Sequence, residues 1–289
     1  MTDAEKREYQ KAQVYFLREI DKLCHALQIS YYMIGGTLLG AVRHGGFIPW
    51  DADIDIAMRR EDYDRFKAYW AEHPSDMYFY EDFESEKNHW IPHARLKIKG
   101  TSAEDRIRMS PYYEPAEKGI FLDIFPLDTP PKSHFLQIVQ MRQLQFIRWL
   151  IKMKVGLVYQ DTPERKKVMK HIVHGCMFPV SLQGLNRWRD KVMRRHSGSG
   201  SGYLVSMASH YSYWKQLMPE EIYGTPIPCT FENQTFLAPA EIDAYLKKIY
   251  GNYMQLPPVE KRVFPCLIDH VEYGILERSD DYQRFTENF

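Results

Sequence analysis

Residues 33–58 read "MIGGTLLGAVRHGGFIPWDADIDIAM", and the reading of this stretch decides the fold. An apolar run enters the pair Gly35-Gly36, and a short apolar-rich segment leads to a second pair, Gly45-Gly46. Asp51, Asp53 and Asp55 then alternate into a run that otherwise suits a buried strand. Residues two apart on a strand share a face. A strand that begins early enough therefore lines up all three carboxylates, while Ile54 and Ile56 face the core. Clustered carboxylates repel one another and are costly to desolvate unless neutralised. A divalent cation does this, and Mg²⁺ in particular takes one or two carboxylates and completes its shell with substrate phosphate oxygens. A Gly-Gly pair at a strand-to-helix turn lets a ligand approach the backbone closely. The N–H groups that open the following helix favour phosphate, and Thr37 adds a hydroxyl there.

Outward from this stretch, residues 3 to about 28 carry Val14, Leu17, Ile20, Leu23, Cys24 and Leu27 at helical spacing, with Thr2 and Glu5 placed for a capping box. The order then reads strand ("ISYYMI"), helix ("TLLGAVRH"), loop ("GGFIPW"), strand ("DIDIAM") and helix ("REDYDRFKAYWAEH", with Tyr63, Phe66 and Trp70 on one face). "HARLKIK" alternates Ala94, Leu96 and Ile98 against Arg95, Lys97 and Lys99, as a half-buried strand does. "GIFLDIFPLD" is an apolar run interrupted by Asp123 and ended by Pro126, with Asp128 expected to cap the turn beyond. The expected class is α/β (α+β), a mixed sheet core with flanking helices.

Three segments are expected: a core over 1–130, a helical insertion over 131–202 ending in the low-complexity "SGSGSG", and a part over 203–289 that completes the donor site. The last part contains a strand pair in "IPCTFENQTFLAP" and a helix in "AEIDAYLKKIY", closed by Gly251. Within the insertion, residues 132–154 contain no acidic side chain but hold Lys132, Arg142, Arg148, Lys152 and Lys154. That pattern suits a helix with a basic solvent face, or contact with an anionic membrane or a lipid-linked acceptor.

Lys plus Arg and Asp plus Glu are equal at 38 each, so nothing global points to nucleic acid. Cys24, Cys176, Cys229 and Cys266 are scattered, without zinc-ligand or disulfide-scaffold spacing. The polar, mixed-charge N-terminus resembles no targeting peptide, and no apolar run approaches a membrane span. A reducing, cytoplasmic location is expected, with the inner face of the membrane as an alternative.

A strand, a Gly-Gly-Thr turn, a short helix and a second strand bearing Asp53 and Asp55 together resemble the nucleotidyltransferase pattern. The longer stretch "GGTLLGAVRHGGFIPWDADIDIAM", with "GIFLDIFPLD" and "YLKKIYGNYMQLPPVEKR", resembles the LicD family from about residue 30 to about residue 265. The resemblance implies a nucleotidyltransferase-like fold and transfer of a phospho-alcohol, most often phosphocholine, from a CDP-linked donor to a sugar of a surface glycan or lipid-linked glycan. One position departs from the family pattern: Ala52 stands where an aspartate is common.

On this reading Asp53, Asp55 and Asp123 are the catalytic and metal-binding carboxylates for Mg²⁺ or Mn²⁺, with Asp51 as an outer or loop contact. Asp123 either ligates the metal or accepts the proton of the attacking hydroxyl. Gly35, Gly36, Thr37, Arg43, Arg95 and Lys97 are candidates for the donor phosphates, with His44 beside them. The resemblance adds Lys261 and Arg262. Trp50, Trp90, Tyr112 and Tyr113 are candidates for an aromatic cage around a quaternary ammonium. A true nucleotidyltransferase that releases pyrophosphate and a non-catalytic nucleotide-binding relative remain the alternatives.

Overall fold

The computed structural model describes residues 2–289 apart from 52, 106–107, 111–112, 115, 160–162, 178, 263–267 and 288. Ala52, Tyr112 and Cys266 therefore lie outside the described residues.

Helix α1 (Asp3–Leu27) opens with the expected capping box: the Glu5 N–H donates to the Thr2 hydroxyl at 3.2 Å, and the Thr2 N–H donates to the Glu5 carboxylate at 2.6 Å. Val14, Leu17, Ile20 and Cys24 form its buried stripe. The chain continues through β1 (Tyr32–Met33), α2 (Gly35–His44), β2 (Asp55–Arg59), α3 (Arg60–Glu72), β3 (Tyr78–Glu81) and β4 (Ala94–Ile98). Strands β5 (Ser102–Asp105) and β6 (Arg108–Met109) precede the fully buried β7 (Phe121–Leu127).

Five of these strands form one mixed sheet in the order β1-β2-β7-β4-β3. Only the β2–β7 pair is parallel; the others are antiparallel. The mixed α/β class expected from the sequence is what the chain adopts. Two details differ from expectation. Strand β2 starts at Asp55, so Asp51 and Asp53 lie in the approach to the strand. Strand β7 runs through Pro126 to Leu127. The Asp123 N–H donates to the carbonyl of Ile54, just before β2, so alternation turns position 126 away from β2. On that side the β4 register has already ended at Ala94 opposite Ile124, and no ladder bond is lost to proline.

After β7 come α4 (His134–Lys154), β8 (Val158–Tyr159), α5 (Glu164–Cys176) and α6 (Leu182–Met193). Ile147, Ile151, Val155, Leu157, Leu182, Leu185 and Val192 form a small apolar cluster of their own between these helices. The remaining elements are β9 (Tyr203–Val205), α7 (Tyr213–Gln216), β10 (Leu217–Pro219), α8 (Glu220–Tyr223), β11 (Ile227–Phe231), β12 (Gln234–Ala238), α9 (Ile242–Tyr250), β13 (Ile268–Glu272) and α10 (Asp280–Glu287). The β11–β12 hairpin turns through Glu232 and Asn233, both at positive φ. Helix α9 ends at Gly251 as expected.

Asp128 does not cap a turn. It is fully buried and clamped by the Arg60 guanidinium at 2.7 and 2.9 Å. A carboxylate taken wholly out of water needs such a partner. Cys24, Cys176 and Cys229 are free thiols.

Candidate active site

The sheet register builds the site. Asp55 on β2 lies opposite Asp123 on β7, and Asp123 lies opposite Arg95 on β4. Arg95 in turn faces Glu81 on β3. A row of four charged residues therefore crosses four neighbouring strands on one face. The Arg95 guanidinium donates to one Asp123 oxygen at 2.8 Å, and His93 lies 3.3 Å from the other. Burial alone would push the Asp123 carboxyl up, but Arg95 and His93 hold it well below the usual carboxylate range. Asp55 goes the other way: burial, then the charges of Asp53 and Asp123, push its carboxyl well above that range.

Helix α2 is aimed at these carboxylates. Ile34 and Gly35 join β1 to the helix with no linker, and Gly35 sits at φ +57°, where a side chain would be strained. A Cβ at Gly35 would meet an Asp55 oxygen at 3.0 Å; at Gly36 it would meet an Asp51 oxygen at 2.6 Å. The glycine pair thus gives the carboxylates their room. Ile34 has no side chain to cap the helix, so the first-turn N–H groups of Gly36 and Thr37 face outward without an intrahelical acceptor. The Thr37 hydroxyl is buried and accepts the Asp55 N–H at 2.9 Å, so it ties helix to strand.

Three tyrosines from the C-terminal third complete the wall, and nothing local in the sequence marks them. The Gly35 N–H donates to the Tyr245 hydroxyl at 3.2 Å. Tyr211 and Tyr250 meet edge to face, with their ring centroids 6.1 Å apart. Burial and then neighbouring groups, Asp55 among them, push the Tyr245 and Tyr250 hydroxyls up. His93 did leave a signal: it stands two residues before Arg95, on the same face of the alternating run.

The candidate cations separate into groups. Arg43 donates to the Tyr253 carbonyl at 2.9 Å, and Arg262 lies over the Trp50 ring at 5.5 Å. Burial lowers the Arg43 guanidinium, and Arg262 adds to this against the pull of Tyr250. His44 meets Trp50 edge-on at 6.1 Å. The segment after the Pro-Pro break thus returns to the far end of α2 with Arg262, while Lys261 is exposed. Lys97 shares the Arg95 face, but its ammonium is buried against Glu81 and donates to the Glu117 carbonyl at 2.6 Å. Among the described candidates for an aromatic cage, Trp50 packs on the main core, whereas Trp90 and Tyr113 pack on the α4–α6 cluster.

Among the described residues, no group of three or more His, Cys, Asp or Glu side chains is arranged to hold a metal ion as it stands. The carboxylate pair Asp53 and Asp55 still fits a divalent cation completed by phosphate oxygens, because the charge crowding on Asp55 is what such a cation relieves.

A mixed α/β sheet that presents crowded carboxylates beneath the N-terminus of a glycine-opened helix has the donors and the charge pattern that suit a metal-bound phosphate ester. Comparison with known proteins makes this specific. Residues 28–152 match the family model described as LicD/FKTN/FKRP, nucleotidyltransferase domain. The chain is 30% identical over 260 residues to the lipopolysaccharide cholinephosphotransferase LicD of Haemophilus influenzae, covering 88% of this chain and 93% of that protein. It is also 44% identical over 45 residues to the ribitol 5-phosphate transferase FKRP of Homo sapiens, which is 16% of this chain and 9% of that one. The chain belongs to the LicD family.

Proposed function

We propose that this protein is a transferase that moves a phospho-alcohol, phosphocholine first among them, from a CDP-linked donor to a hydroxyl of a cell-surface glycan, with release of CMP. The observation that carries this reading is the similarity to the cholinephosphotransferase along almost the whole of both chains.

In the proposed reaction the donor phosphates lie against the α2 N-terminus, where glycine backbone leaves space and the first-turn N–H groups supply donors. Arg43 and Arg262 mark the side from which the nucleotide is held. Asp53 and Asp55 would hold Mg²⁺ or Mn²⁺ together with phosphate oxygens. When bound, that ion neutralises phosphate charge and stabilises the departing oxygen. The acceptor hydroxyl attacks the distal phosphorus and gives its proton up to solvent, a new P–O bond forms, and the P–O bond to CMP breaks, its electron pair leaving on the CMP phosphate. Asp123 is held as an anion by Arg95, which suits it to orienting and balancing charge more than to taking up a proton.

The test is product analysis. Purified protein with an acceptor glycan, Mg²⁺ and CDP-choline, CDP-ribitol or CDP-glycerol in turn should release CMP with at least one donor. Pyrophosphate release from a nucleoside triphosphate, with no CMP from any CDP-alcohol, would instead make it a nucleotidyltransferase in the literal sense of the family model's description.

A further inference from the structure

Charge is segregated along this chain. Residues 132–195 hold fourteen Lys and Arg against three acidic residues, Asp161, Glu164 and Asp190, while the whole chain is neutral. The three helices α4–α6 are therefore a strongly basic pole on a molecule whose remainder is equally acidic. Some of these cations are spent internally: Arg189 on the Trp90 and Ile91 carbonyls, Arg194 on Asp64 and Asp190.

The same pole exposes large apolar side chains. Helix α4 turns Gln140, Ile147 and Ile151 inward. Its opposite stripe carries Phe135, Ile138, Arg142, Phe146 and Trp149 at spacings of three and four. Phe146 and Trp149 are 52% and 53% exposed, yet they stack on each other at 6.0 Å, and Phe146 meets Trp188 of α6 at 6.2 Å. Helix α5 adds exposed Val168, Met169 and Ile172. Isolated exposed apolar residues need no explanation, but a contiguous aromatic cluster does. No helix among the described residues is long and apolar enough to cross a membrane.

We propose that the α4–α6 pole docks peripherally on an anionic lipid bilayer, with Phe146, Trp149 and Trp188 entering at headgroup level and the surrounding cations meeting the anionic headgroups. Tryptophan favours that interface, and a basic surface is drawn to anionic lipid within a Debye length. The acid-free α4 supplies the charge complementarity that a bare apolar patch lacks. This inference stands apart from the active-site reading, since α4 leaves the sheet beyond Leu127, at the opposite end of β7 from Asp123.

The experiment is vesicle co-sedimentation of the full chain, with phosphatidylcholine alone and with phosphatidylglycerol added. Wild type should bind the anionic vesicles at least about tenfold more tightly than the neutral ones and release them as salt rises. Phe146→Ser with Trp149→Ser, both on the exposed face, should lose most of this binding with an unchanged melting curve. Arg142→Glu with Lys166→Glu should weaken only the anionic preference. Equal binding to both vesicle types, no binding to either, or full binding by the Phe146→Ser, Trp149→Ser variant would overturn the proposal. A concentration-dependent dimer of wild type that this variant converts to monomer, without any lipid binding, would instead assign the face to a second copy of the chain.

Discussion

Asp55 is under more electrostatic stress than any other residue of the site. It is half-buried, faces the charges of Asp53 and Asp123, and has Arg95 to oppose them. An arrangement that costs stability without ligand and is relieved by a cation is expected of a functional site. Asp55→Asn should therefore cut turnover by about 10²-fold or more, while the melting temperature without metal stays level or rises, because a repulsion is removed. A melting temperature several degrees lower would show the carboxylate to be structural. Gly36→Ala tests the neighbouring claim. The methyl group would displace the Asp51 carboxylate, which is a side-chain movement with little cost to the fold. Donor affinity measured by calorimetry should weaken markedly at an almost unchanged melting temperature; unchanged affinity would remove the glycine pair from the phosphate site. Thr37→Ala has a different consequence from that of a lost ligand contact, since the hydroxyl serves the Asp55 N–H. Its effect should be read first in stability.

At the scale of elements, β4 holds the site in place from behind. Arg95 and Lys97 on β4, with His93 just before it, meet Asp123, Glu81 and Asp123 in turn. Burial would raise the Glu81 carboxyl, but the bond from His89 and the Lys97 charge bring it down to about 2 from 4.5. A carboxyl depressed in the folded state contributes stability that is complete above about pH 4.5 and is lost as pH falls through about 2. Glu81→Gln should therefore cost about 3 kcal/mol at neutral pH and flatten the pH dependence of stability across that window in denaturation curves. An unchanged midpoint would show that the Lys97 pairing does not support β4. The alternation of "HARLKIK" made the shared face of Arg95 and Lys97 legible. The partners were not, because β3 is a strand whose sequence, "YFYE", carries no alternating pattern. In the same way the periodicity of Asp51, Asp53 and Asp55 was visible, but the point where the ladder begins is set by the distant β7, whose register with β2 starts at Asp55 opposite Asp123.

Across the whole molecule, the glycine-opened helix is braced by residues far away in sequence. Tyr245 receives the Gly35 N–H across a separation of 210 residues, Glu232 receives the Phe47 N–H, and Gln10 of α1 donates to the Asp51 carbonyl at 2.7 Å. The carboxylate motif was readable because its chemistry is local. Its supports, Tyr211, Tyr245 and Tyr250, were indistinguishable from the other tyrosines of a chain that has 20. Tyr245→Phe should leave the half-buried Gly35 N–H without its acceptor, cost about 1 kcal/mol in chemical denaturation, and weaken donor binding as the turn loosens. Wild-type stability with wild-type affinity would show that α9 does not position the turn. The central claim is that one site, made of Asp53, Asp55 and Asp123 below the α2 N-terminus, transfers a phospho-alcohol. Its most direct test is CMP release from CDP-choline by purified protein with acceptor glycan, with and without Mg²⁺, run beside Asp55→Asn. The account predicts metal-dependent CMP release matched by phosphocholine on the glycan, both absent from the variant. CMP release that survives Asp55→Asn, or that continues equally in the presence of a chelator, would contradict it.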